Sequence, residues 1–242
     1  MKRAISVGTA APLLILVLLL APSLAFGAAC PTIVISSFPS GPASGSCTID
    51  DLTFSDLYVT ASVSGGGTIG PLTITPVNSG GEVGFELTGS IDAGSVGSPS
   101  SADVTLQYGV ASTSGTPIIE DATLQLVNTL NLQGGGIAIS SVDENICLNT
   151  DTAPFPASCA SEDSLSVSNS ETPDTITFSP PVTELSASKD INAYAYGEGS
   201  FSTISAVEDS YSLSTVPEPA SIALFGSGLL GLAGFARRRF FK

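Results

Sequence analysis

Along much of the chain, apolar and polar residues alternate one for one. Leu57, Val59, Ala61 and Val63 alternate with Tyr58, Thr60 and Ser62. Val104, Leu106 and Tyr108 alternate with Thr105 and Gln107, and Ala122, Leu124 and Leu126 with Thr123 and Gln125. The pairs Leu72/Ile74, Phe85/Leu87, Ile137/Ile139, Leu165/Val167 and Ile176/Phe178 repeat the pattern. A period of two places one face of a strand on a core and leaves the other toward water. Turn-forming clusters separate the runs: Gly65-Gly66-Gly67, Asn78-Ser79-Gly80-Gly81, Gly134-Gly135-Gly136 and Pro180-Pro181. The spacing predicts about a dozen short strands, the signature of an all-β, antiparallel two-sheet β-sandwich, jelly-roll or immunoglobulin-like. No helical stretch longer than a turn or two is predicted between the two ends, and no repeat of fixed period is present.

Both ends depart from this alternation. Residues 1–29 read as a secretory signal peptide with a signal helix: Lys2 and Arg3 lead, an apolar stretch centred on Leu13 to Leu20 follows, and small residues close it. Ser23 with Ala25, or Gly27 with Ala29, fits the cleavage site, so cleavage after Ala25 and after Ala29 both stay open. Cys30 raises lipidation as a rival, although Gly27 stands where a lipobox carries leucine. The other end, residues 216–242, has three parts in order. Pro217, Glu218 and Pro219 come first; an uncharged apolar run of 17 residues follows; Arg237, Arg238 and Arg239 close it, with Lys242 behind. As a helix the apolar run spans about 25 Å, at the lower limit for crossing a membrane. The arginines hold that end in the cytoplasm, which leaves residues 30–215 outside as one extracytoplasmic domain.

This tail resembles the PEP-CTERM sorting signal of Gram-negative bacteria. The resemblance implies recognition by an exosortase, transient anchoring by the C-terminal transmembrane helix, and final residence at the cell surface or in the extracellular matrix. It also implies a link to exopolysaccharide and biofilm. The order of strand-like runs in CTIDDLTFSDLYVTASV, LTITPV and GFELTGSI is similar to ectodomains that recur on such proteins, which adds an expectation of a β-sandwich and nothing about chemistry.

Charge sharpens the picture. The chain has 22 acidic and 7 basic residues, and six of the basic ones lie in the two terminal segments. Glu218 is the only acid outside residues 30–215, so that body has 21 acids against Lys189 alone, a net charge near −20. Such a surface repels nucleic acid, anionic lipid and acidic polysaccharide unless cations mediate, and salt bridges have almost nothing to form from. There is no histidine, which removes Ser-His-Asp and Cys-His catalysis and His-based zinc sites. Carboxylate doublets remain: Asp50-Asp51, Glu120-Asp121, Asp143-Glu144, Glu162-Asp163 and Glu208-Asp209. Adjacent acids on a strand point to opposite faces and at a turn face solvent, and each doublet is read as solvated surface; a glycosidase would need two facing carboxyls from separate elements. The richest candidate for calcium is Asp143, Glu144, Asn145 and Asp151, without EF-hand spacing because Leu148 occupies the place of the loop glycine. No other cofactor is expected.

Four cysteines in an exported chain predict disulfides and allow three pairings. Local pairing of Cys30 with Cys47 and of Cys147 with Cys159 is expected from the short, similar spacings. Tyr194 and Tyr196 share one face of a strand, where they pack across strands or stack on sugar rings. The function expected is that of an exported structural or interaction component, not an enzyme. The alternative is a carbohydrate-binding or carbohydrate-degrading module that uses paired carboxylates.

Overall fold

A computed structural model describes residues 29–37, 40–116, 118–132, 135–150, 155–156, 158–169 and 172–214, with side chains not described for 40–45. The signal segment and the sorting tail, including Pro217, Glu218, Pro219 and Arg237 to Arg239, lie outside the described residues. So do both predicted terminal helices and Asp151.

Among the described residues there is no helix, and thirteen strands follow one another. They are β1 (Ile33–Ile35), β2 (Ser40–Ile49), β3 (Leu52–Ser64), β4 (Gly67–Ile69), β5 (Leu72–Ser79), β6 (Glu82–Gly94) and β7 (Ser100–Ser112), then β8 (Ile119–Asn131), β9 (Ile137–Leu148), β10 (Glu162–Ser168), β11 (Asp174–Val182), β12 (Glu184–Tyr196) and β13 (Phe201–Ser212). Seven of them form a sheet in the order β1-β5-β6-β13-β8-β11, with β4 also on β6; the other six run β10-β9-β12-β7-β3-β2. All pairings between these strands are antiparallel. The two sheets share one core in a sandwich-like arrangement. Leu52, Val104, Ile146 and Leu185 reach it from the six-stranded sheet, and Leu72, Ile74, Ile91 and Leu124 from the seven-stranded one. Each such side chain, fully buried, contributes about 1.5–3 kcal/mol.

The alternation in β3, β7 and β8 translates directly into burial. Val59, Val104, Leu106, Tyr108, Ala122 and Leu124 are all buried. The turn at Ser79–Gly80–Gly81 joins β5 to β6, with both glycines at positive φ (67° and 94°), the backbone that a tight hairpin turn requires. Two predicted features are corrected. Pro180 and Pro181 do not end a strand: they lie within β11, where the register with β8 shifts between Thr177 and Val182. Proline lacks an N–H and is tolerated there because β11 is an edge strand.

The second correction is the phase of β9. Ile137 and Ile139 face outward, 46% and 38% exposed, while Ala138, Ser140, Val142, Glu144 and Ile146 face the core. The inward face of β9 carries a serine and a glutamate, so hydrophobicity alone selects the wrong side. Ser140 is accommodated by a 2.7 Å hydrogen bond across the sheets to Ser202 of β13.

Both disulfides pair locally, Cys30 with Cys47 and Cys147 with Cys159. The bond to Cys47 occupies the Cys30 sulfur, which leaves no thiol there for a lipid.

Candidate functional site

The centre of the molecule holds charge. Lys189 of β12, Glu144 of β9 and Asp209 of β13 are 1%, 0% and 2% exposed. The register explains their meeting. Lys189 lies directly across from Glu144 in the six-stranded sheet. Asp209 faces them from the opposite sheet, between Phe85 of β6 and Leu124 of β8. Lys189 Nζ donates to Glu144 Oε1 at 2.8 Å and also to Asp209 Oδ2.

Two tyrosines complete the cluster. Tyr211 Oη donates to Asp209 Oδ2 at 3.0 Å, and Tyr108 Oη donates to the same oxygen. Lys189 Nζ is 3.0 Å from Tyr108 Oη and lies over the Tyr108 ring, 4.7 Å from its centroid. Phe54 and Phe85 pack against Tyr108, with ring centroids 4.7 Å apart and 6.1 and 5.8 Å from its own. The second carboxyl oxygens, Glu144 Oε2 and Asp209 Oδ1, are buried with no hydrogen-bond partner among the described residues.

Burial dominates the electrostatics. It pushes the Asp209 carboxyl well above the ordinary aspartate range, against the hydrogen bond from Tyr211. It lowers Lys189 from the ordinary lysine value, outweighing the attraction of Glu144. Burial, and then the charge of Asp209, raise the Tyr211 phenol, so its hydroxyl stays a donor. Removing ions from water costs several kcal/mol each even after relaxation, and a buried ion pair is weak evidence for stability. An amine and a carboxyl are thus in contact, dry, and both driven toward their neutral forms.

The expectation that ion pairing had almost nothing to form from is therefore corrected: the one lysine of the body contacts two buried carboxyl groups. The doublets Asp143-Glu144 and Glu208-Asp209 split, one acid outward and one into the core. The sequence carried an unused signal for this. Lys189 has Ala187 and Ile191 two residues away on either side, Glu144 has Val142 and Ile146, and Asp209 has Val207 and Tyr211. Three charges thus sit on the apolar phase of their strands.

The calcium candidates among the described residues are not brought together. Glu144 faces the core, whereas Asp143 and Asn145 lie on the outer face of β9, and Ser166 Oγ donates to Asp143 Oδ1 at 2.7 Å. No group of three or more metal-ligating side chains occurs among the described residues. Tyr194 and Tyr196 face outward on β12, opposite Ile139 and Ile137 of β9; Tyr196 is 45% exposed. An open groove of about 470 Å³ lies at the edge of the sandwich, lined by Ser36, Ser62, Val63 and Thr68 among others, with no carboxylate in the lining.

Residues 215–239 match the PEP-CTERM protein-sorting motif. The chain carries a PEP-CTERM sorting signal. The motif implies export, sorting by an exosortase and transient anchoring in the membrane before processing. No curated protein matches the chain.

Proposed function

We propose that the body delivered by this signal is a structural or interaction component of the cell surface or extracellular matrix, associated with exopolysaccharide and biofilm. In this reading it is a two-sheet β-sandwich of jelly-roll or immunoglobulin-like kind, turns over no external substrate and holds no resident cofactor. The single observation that carries the reading is the PEP-CTERM motif at residues 215–239. The acidic body supports it, since a surface of one sign stays soluble and resists collapse onto anionic cell material.

A second reading, a carbohydrate-binding module, is favoured by the outward-facing Tyr194 and Tyr196 with Ile137 and Ile139 beside them, a surface suited to stacking on sugar rings. A degrading module would need facing carboxyls, as paired carboxylates do in hydrolases.

Two measurements test the proposal. Deleting the exosortase of the producing cell is expected to raise the mass of the protein and hold it in the membrane; unchanged mass and location would refute the sorting role. A glycan array probed with and without calcium is expected to give no saturable, sugar-specific signal. Such a signal, lost on Tyr196→Ala, would establish the second reading instead.

A further inference from the structure

We propose that Lys189 and Asp209 join autocatalytically in an intramolecular isopeptide bond, with Glu144 as the catalytic proton carrier and Tyr108 and Tyr211 as the groups that hold the reacting carboxyl. The bond would tie β12 of one sheet to β13 of the other. It requires no substrate, metal or cofactor from outside.

The arrangement meets each requirement of amide formation. The nucleophile is an amine, and Lys189 Nζ contacts both the acceptor carboxyl and Glu144 Oε1, the latter at 2.8 Å. The acceptor must be an acid rather than a carboxylate, and burial holds Asp209 toward its protonated form. The developing oxyanion needs donors, and the hydroxyls of Tyr108 and Tyr211 both point at Asp209 Oδ2. Water must be scarce, and all five residues are at most 2% exposed. Fixing the two reacting groups in contact supplies the proximity that separate molecules lack.

The steps balance. Glu144 takes a proton from the Lys189 ammonium and leaves a neutral amine. Nζ attacks Cγ of the protonated Asp209, and the carbonyl electrons move to the oxygen facing the two tyrosines. Glu144 returns its proton to the departing hydroxyl, the C–O bond breaks and one water leaves. Glu144 then accepts a proton from the amide nitrogen as the carbonyl re-forms. Nothing is oxidised or reduced. The product holds one amide and a neutral Glu144 where three ionisable groups had met, so the cost of burying charge is relieved. A purely structural ion pair gives no comparable account of why the only lysine of the body lies in its core.

The sequence supplies an unusually clean test. Between Arg3 and Arg237 the only site for trypsin is Lys189, and trypsin does not cut after an acylated lysine. The full chain, denatured, reduced and alkylated, is expected to resist cleavage at this point; cleavage after Lys189 to completion would overturn the proposal. Digestion after glutamates separates Lys189, which lies between Glu184 and Glu198, from Asp209, which follows Glu208. The bond predicts one branched peptide lighter by one water than its two parts; two separate linear peptides would overturn it. Glu144→Gln is expected to keep the far-ultraviolet spectrum of the wild type, lose the branched peptide and become cleavable after Lys189. A Glu144→Gln chain branched to the wild-type extent would overturn the role of Glu144. If that variant does not fold, the wild-type digests decide the bond by themselves.

Discussion

At the scale of single residues, the protein is governed by how burial treats charge. In the core it drives Lys189 and Asp209 toward neutrality. At the surface a weaker version operates around Asp190, whose carboxyl lies near those of Asp103 and Asp143 on the outer face of the six-stranded sheet. Partial burial, then the charge of Asp103, and finally that of Asp143 raise Asp190 above its ordinary value of 3.8. Asn192 Nδ2 relieves Asp103 with a 3.1 Å hydrogen bond, and neither ion pair among the described residues involves these three acids. A carboxyl raised in the folded state favours folding when protonated. Its contribution is full below about 3.8 and is lost as pH rises through the raised value. The melting temperature is therefore expected to rise as pH falls from neutral into that window. Asp190→Asn should raise the neutral-pH melting temperature and flatten the rise; a variant with the wild-type pH profile would contradict this account.

At the scale of elements, each strand is set by which of its two faces the opposite sheet can accept. In β3, β7 and β8 the apolar face and the buried face coincide. In β9 they do not, because Glu144 must meet Lys189 and Ser140 must meet Ser202. The consequence can be measured by denaturant unfolding. Ile139→Thr, on the outward face, is expected to change stability by about 0.5 kcal/mol or less. Val142→Thr, fully buried, should cost about 1–3 kcal/mol for its unpaired hydroxyl. The reverse order of the two effects would mean that the phase of β9 is wrong. The placement of Asp209 depends equally on its neighbour strand. A Cβ at Gly84 of β6 would come within 1.9 Å of the Asp209 carbonyl oxygen, so glycine is what lets β6 and β13 pair this closely at Asp209.

At the scale of the whole molecule, charge is segregated. Lys189 is the only basic residue of the body and is buried, so every charge left on the body's surface is negative. Self-repulsion then opposes the folded state and is screened by salt. The melting temperature at neutral pH is expected to rise as sodium chloride goes from a few millimolar to physiological strength; a fall would show that surface repulsion does not limit stability. A covalent tie between the sheets suits such a body, because it holds the sandwich together where surface ion pairs cannot form.

The sequence by itself determined what depends on local order. Strand alternation gave the fold class, the short cysteine spacings gave both disulfides, and the linear order of Pro-Glu-Pro, apolar run and arginines gave the sorting signal, because an exosortase signal is read along the chain. Only the tertiary structure decided which charges meet. Glu144, Lys189 and Asp209 lie on three strands, and their contact depends on strand order, on a register where one residue's slip would reverse every face, and on which sheet covers which. Their positions on apolar phases were visible, but a lone charge at such a place can equally mark a strand end or an exposed face. Packing two sheets over them turned three exceptions to the pattern into one site.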